Sequence, residues 1–179
     1  MSIQIKNLSK KFNDVYAVNN INFEIKSNNT VGLLGPNGCG KTTSIGMMLG
    51  LIKPTSGQVI IQNKNIDTID RNKLLSIMNF ASPYVELPKK LSVKQNLQIY
   101  GRLYGISDLK LRIDELAEDL NLKDFLNKKT GELSSGQKNR VSLAKSLINR
   151  PEILLLDEPT ASLDPDIGDY VRSYVQSYK

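Results

Sequence analysis

The chain of 179 residues is 40% hydrophobic and carries a net charge of +6, from 24 Lys and Arg against 18 Asp and Glu. That suits one globular domain with a real core, or two tightly joined lobes. It excludes a segment long enough to cross a bilayer, since the longest purely aliphatic run is Ile153–Leu156, and an internal disulfide, since Cys39 is the single cysteine. The cations are spread along the chain, which fits a solvated basic surface or an attraction to acidic lipid head groups or nucleotides. The N-terminus has no signal-peptide core, and no arginine-rich arm or aromatic–basic interleaving points to nucleic acid. The chain is therefore expected to be cytoplasmic, with no nucleic-acid partner.

The elements read as α/β throughout. The stretches "SIQIKNL" and "INFEI" alternate as strands do and are joined by a polar turn at Asn13-Asp14. Thr30–Leu34 is a short apolar strand that runs into a glycine-rich loop, and a helix follows from about Gly40 to Leu51. Lys53–Gly57 is a turn, "QVIIQ" a strand, and Ile77–Ala81 another. From Ser82 the apolar spacing becomes helical over Ser92–Tyr104 and Asp108–Leu120, with Gly105 between them, and a third helix covers Ser134–Asn149. Ile153–Leu156 is a buried strand, because its apolar run does not alternate. Asp164-Pro165 caps a last helix whose apolar face is Ile167, Tyr170, Val171, Tyr174, Val175 and Tyr178. These elements divide the chain into a core at 1–81, a helical lobe at 82–150 and a return to the core at 151–179.

Gly35-Pro36-Asn37-Gly38-Cys39-Gly40-Lys41-Thr42 fits G-x-x-x-x-G-K-[ST] between a predicted strand and a predicted helix. Small residues let successive backbone N–H groups face one concavity, and the helix N-terminus adds partial positive charge. Lys41 can reach the β- and γ-phosphates as a mobile point charge. Thr42 offers a hydroxyl to Mg²⁺, and Thr43 a further hydrogen bond. Cys39 within the loop is either a small filler or a reactive thiol at a helix start; if reactive, its alkylation blocks nucleotide binding.

A second half of the site is legible downstream. The strand Ile153–Leu156 ends in Asp157, placed to hold Mg²⁺ through water, and Glu158, placed to polarise an attacking water as general base. Leu133–Gln137, "LSSGQ", opens a helix with Ser134 near its cap, which makes a second anion site. One chain needs a single γ-phosphate cradle, so the second site suits a partner's nucleotide.

Together, and in this order, these residues resemble the nucleotide-binding domain of ABC-type ATPases over nearly the whole chain. Gly35–Thr43 resembles the Walker A loop, Leu133–Gln137 the signature motif, Ile153–Glu158 Walker B, and Ala161-Ser162-Leu163-Asp164 the D-loop. The resemblance implies a P-loop NTPase fold with a parallel core sheet, N-terminal antiparallel strands and an inserted helical lobe. It places Phe12 (Tyr16 as the other candidate) where an aromatic stacks on adenine. It implies ATP and Mg²⁺, and a head-to-tail dimer in which Ser134, Gly136 and Gln137 touch the γ-phosphate of the partner's ATP. Polytopic membrane subunits are the further partners, which puts the domain on the inner face of the plasma membrane. "LSVKQNLQIYGRLYGI" is most similar to exporters of drugs, lipids or polysaccharides.

Three positions depart from the family. Ser135 stands where the signature has its first glycine. The glutamine expected before the helical lobe, a Mg²⁺ ligand, is replaced by Ser82, which would reach the metal only through water; Glu86 lies further along the same loop. The chain has no histidine, and the final core strand and switch-histidine region are absent from it. Strands beside that missing rung are expected to carry unpaired backbone groups, and the face Ile167–Tyr178 to lose packing surface. On this reading the chain is a fragment, whether from an arbitrary cut, a split or frameshifted gene, or a decaying copy. The expected function is an ATP-binding transporter subunit. The alternatives are a nucleotide-binding module or inactive remnant without turnover, and a soluble non-transport ATPase of the same superfamily.

Overall fold

A computed structural model describes residues 2–68, 71–82, 86–160, 163 and 165–178. It has two compact units, residues 1–75 and 76–179.

In the first unit, β1 (Ser2–Phe12) and β2 (Val15–Lys26) form a long antiparallel hairpin. Asn13 takes φ 51° at the turn, a left-handed conformation that asparagine tolerates because its side chain bonds locally. β3 (Ser56–Ile61) pairs antiparallel with the other edge of β1, and β4 (Lys64–Asn65) with β3, giving the order β2-β1-β3-β4. The register passes from Lys10↔Val18 to Lys11↔Tyr16, so Ala17 is the extra residue of a bulge. Inward-facing Ile3, Ile5, Leu8, Val59 and Ile61 are buried. α1 (Lys41–Met48) buries the continuous run Ser44–Met48, and α2 (Arg71–Ser76) buries Leu74.

Thr30–Leu34 is not a strand. The segment has no regular secondary structure, with Leu34 94% and Val31 49% exposed. An apolar run becomes a strand only where a neighbouring strand receives its N–H and C=O groups, and among the described residues none pairs with it. Unpaired backbone was expected here from the sequence.

In the second unit, β5 (Met78–Ala81) and β6 (Ile153–Leu156) pair in parallel from Met78↔Ile153 to Ala81↔Leu156. Between them in sequence lie α3 (Val93–Leu103), α4 (Leu109–Asp119) and α5 (Ser135–Leu147), with short 3₁₀ turns at Lys123–Phe125 and Thr130–Glu132. Their apolar stripes meet in one core of Val93, Leu97, Ile113, Leu116, Leu120, Val141, Leu143 and Leu147, all buried. Each such side chain contributes about 1.5–3 kcal/mol when removed from water.

α6 (Pro165–Ser177) packs on this same core rather than losing its apolar face. Val171 is 1% exposed, and Tyr174, Val175 and Tyr178 are half-buried. The Tyr174 hydroxyl donates to Asp119 Oδ2 (3.0 Å), the Tyr178 hydroxyl to Pro151 O (3.2 Å) and the Tyr170 hydroxyl to Asp119 O. The predicted cap Asp164 and the side chain of Ile167 lie outside the described residues.

Candidate functional site

The phosphate loop occupies Gly35–Gly40 and feeds α1 directly, with Gly40 as N-cap and Ser44 N donating to Gly40 O (2.8 Å). Gly40 has φ +92°, and a Cβ there would lie 2.2 Å from Ala17 O and 3.0 Å from Val18 Cγ2. The bulged carbonyl of β2 thus occupies the space a side chain would need, so only glycine lets the helix start this close to the sheet. Gly38 also has a positive φ, +83°, but faces open space. Gly35 through Cys39 and Thr42 are exposed, while Lys41 and Thr43 are half-buried.

The Lys41 ammonium folds back over the loop. It donates to Gly35 O (2.7 Å) and Pro36 O (3.0 Å), with Cys39 Sγ at 3.9 Å. The ammonium is thus held against the loop's own carbonyls. The donor set fits a triphosphate: a mobile ammonium, the hydroxyls of Thr42 and Thr43, and the start of an eight-residue helix. The β1–β2 hairpin that abuts Gly40 at Ala17 also carries the predicted aromatics. Phe12 is 48% and Tyr16 53% exposed, with Lys10 and Lys11 ammoniums over their respective rings at 4.9 and 5.7 Å. The structure brings both rings to the hairpin end beside the loop and does not choose between them.

In the second unit, Ser82 and Asp157 follow the paired residues Ala81 and Leu156, at the C-terminal ends of the two parallel strands. Asp157 N donates to Ala81 O (2.9 Å) and extends the ladder by one bond. Both residues are buried, at 4% exposure each. Ligand sites in α/β folds lie at this end of parallel strands, so Ser82 and Asp157 share one strand-end position although they are 75 residues apart in the numbering, 157 minus 82. Glu158 follows with φ 50°, a left-handed backbone at a non-glycine residue, and its side chain is exposed. Such backbone costs on the order of 1–3 kcal/mol and collects at functional turns. Glu86 is exposed and paired with Lys89 (2.8 Å), which holds its carboxyl below the usual range.

Ser134 caps α5 in a reciprocal box. Its Oγ accepts from Gln137 N (3.2 Å), and Gln137 Oε1 accepts from Ser134 N (3.1 Å). The Gln137 oxygen is therefore committed to the helix, and its amide NH₂ is the group left to donate to an anion. Gly136 lies in the first turn of the same helix. Within the D-loop, Ala161, Ser162 and Asp164 lie outside the described residues.

Two arrangements that hold this helix were not anticipated. Arg112, on the buried side of α4, donates to Leu147 O (2.5 Å) and Ile148 O (3.3 Å) at the C-terminus of α5, and pairs with Glu115 (3.0 Å). A guanidinium there satisfies end carbonyls and complements the helix dipole. The sequence signal was an arginine inside an apolar stripe, between Leu109 and Leu116. Lys145 of α5 donates to Phe80 O (3.0 Å) and Asn79 Oδ1 (3.4 Å), and its ammonium lies over the Tyr100 ring at 5.3 Å. Burial lowers its pKa. Asn79 Nδ2 donates in turn to Asn149 Oδ1 (2.8 Å), just past α5, so α5 and the residues after it are bonded to β5, the strand that precedes Ser82.

Comparison with known proteins gives a consistent picture. The family model described as ABC transporter matches residues 18–161. The Nod factor export ATP-binding protein I of Rhizobium sp. (strain N33) is 36% identical over 167 residues, 92% of this chain and 55% of that protein. The ABC transporter ATP-binding protein NatA of Bacillus subtilis (strain 168) is 32% identical over 185 residues, 99% of this chain and 74% of that protein. Among solved structures, a dimeric post-hydrolysis state of an ATP-binding cassette bound to ADP and Pi superposes with a TM-score of 0.86 at 29% identity, covering 97% of this chain and 81% of that one. The chain spans about half the length of the first of these curated relatives.

Proposed function

The chain belongs to the ABC transporter family, and from that premise we propose that it is the nucleotide-binding part of an ATP-driven transporter, working in export. The single observation that carries the reading is the loop Gly35–Thr43, with Gly40 fitted against the Ala17 carbonyl and the Lys41 ammonium held over the loop. Among described residues no helix is long and apolar enough to cross a membrane; polytopic membrane subunits are the partners this reading assigns for coupling to transport. The export assignment follows the relative whose printed name is Nod factor export. Association with the inner face of the plasma membrane is part of the same reading.

Each residue has a proposed role. Gly35, Pro36, Asn37, Gly38, Cys39 and Gly40 present backbone N–H groups to the phosphates, and Thr43 adds a hydroxyl. Lys41 neutralises charge on the β- and γ-phosphates. Phe12 stacks on the base. Thr42 and Asp157, with Ser82 through water, are the residues that would hold Mg²⁺, which would neutralise phosphate charge. Glu158 accepts a proton from the attacking water. Ser134, Gly136 and the Gln137 amide meet the nucleotide of a second, head-to-tail subunit, as the dimeric relative suggests. The division into 1–81, 82–150 and 151–179 belongs to this proposal.

A steady-state assay of phosphate release from Mg-ATP tests it. Turnover that Glu158→Gln abolishes while nucleotide binding persists supports the assignment; turnover insensitive to Glu158→Gln overturns it. A second reading, nucleotide binding without turnover, is favoured by Thr30–Leu34, since among the described residues no strand pairs with the segment entering the loop. Saturable ATP binding with no phosphate release selects that reading.

A further inference from the structure

The helical lobe of the second unit holds an open pocket of about 450 Å³ between the start of α3 and the segment Asn127–Lys129. That volume lies within the range of roughly 300–1,000 Å³ that accepts small ligands. Backbone bonds lock its two walls together: Val93 N donates to Lys128 O (3.1 Å), Lys94 N to Leu126 O (2.8 Å) and Thr130 N to Leu91 O (3.0 Å). Lys90, Lys94 and Lys129 line it, and no carboxylate is in the lining. Glu86, upstream of Lys90, is taken by Lys89. Among the described residues, Lys90, Lys94 and Lys129 make no ion pair.

The helix start is not what would bind here. The N–H groups of Val93, Lys94 and Gln95 are already taken by Lys128 O, Leu126 O and the Ser92 hydroxyl. Binding capacity rests on side chains. The Gln98 and Asn127 carboxamides have no partner among the described residues, and the Ser92 hydroxyl, which accepts from Gln95, keeps its own hydrogen to donate. Three cations with hydrogen-bond donors between them and no counter-charge suit a multiply charged phosphate, whose oxygens accept several charge-assisted bonds at once. We propose that this pocket is a second anion site that binds a phosphate group of charge −2 or more, separate from the nucleotide loop.

The test reads amine reactivity in the intact chain. Lysines are acetylated with and without inorganic tripolyphosphate, or with vesicles of phosphatidylcholine containing phosphatidic acid, and each site is quantified by mass spectrometry. The expected result is several-fold slower acetylation of Lys90, Lys94 and Lys129 with at least one of these probes, unchanged in a Lys41→Ala background and weakening with salt. Lys6 and Lys26 on the sheet serve as controls. Protection by tripolyphosphate assigns a soluble phosphate; protection by vesicles alone assigns a lipid head group. The triple variant Lys90→Gln/Lys94→Gln/Lys129→Gln, with its melting temperature as folding control, should lose retention of the same probe. Protection confined to Lys41 would uphold the nucleotide reading and overturn this one. Protection of the three pocket lysines without Lys41 upholds this proposal. No protection of the pocket lysines by either probe overturns the proposal.

Discussion

Alanine at Gly40 should be far more damaging than alanine at Gly38, although both glycines have a left-handed backbone. At either position a Cβ costs about 1–2 kcal/mol in that conformation. At Gly38 nothing lies within 4 Å of the added atom, so the cost ends there. At Gly40 the added atom would lie 2.2 Å from Ala17 O and 3.2 Å from Ala17 C, both backbone atoms of a strand paired along β1. The sheet cannot yield cheaply, so the loop must move, which adds about 1–3 kcal/mol as overpacking does. The expected total is about 3 kcal/mol for Gly40→Ala, or roughly a hundredfold loss of ATP affinity if the strain falls on the loop, against about tenfold for Gly38→Ala. Calorimetric titration of Mg-ATP, with thermal unfolding run in parallel, separates lost affinity from lost folding. Gly40→Ala binding ATP as well as Gly38→Ala, at the same melting temperature, would refute the steric reasoning.

Two further predictions concern the helical lobe. Arg112→Met strands two end carbonyls of α5 and should lower unfolding stability by about 2–4 kcal/mol in urea titration; a change under about 0.5 kcal/mol would show that water replaces the guanidinium freely. Tyr174→Phe removes the bond to Asp119 and should cost about 1 kcal/mol at neutral pH. Burial first, then the hydrogen bond to Asp119, raises the Tyr174 pKa above its ordinary value. The neutral phenol therefore stabilises the fold fully below about pH 10, the ordinary phenol value, and that stability is lost as pH climbs through the raised folded value. The stability gap between wild type and Tyr174→Phe should shrink above pH 10; a gap that widens there contradicts the assignment.

Much of this was legible because it is local. Ser134 read as lying near the cap of its helix, and the helices around Leu97 and Ile113 declared themselves by period. The loop was recognisable because its chemistry requires glycine and lysine at fixed offsets. What the chain could not reveal locally was pairing. Thr30–Leu34 has strand composition, but among the described residues no strand pairs with it, and composition cannot report a partner. The apolar face of α6 looked short of a surface until α4 and its neighbours supplied one through Asp119 and the shared core. Arg112 and Lys145 look like ordinary cations in sequence, and only the fold shows them bonded to carbonyls of α5 and β5. Short elements such as α2 and β4 carry too few residues to show a period.

The central claim is that Gly35–Thr43 holds the phosphates of ATP, with Lys41 as its mobile cation. Equilibrium binding of Mg-ATP to the wild-type chain and to Lys41→Ala tests it most directly. A charge-assisted contact of about 1.5–3 kcal/mol predicts saturable wild-type binding and a loss of roughly ten- to a hundredfold in the variant. No saturable binding by the folded wild-type chain, or equal affinity in Lys41→Ala, would contradict the account.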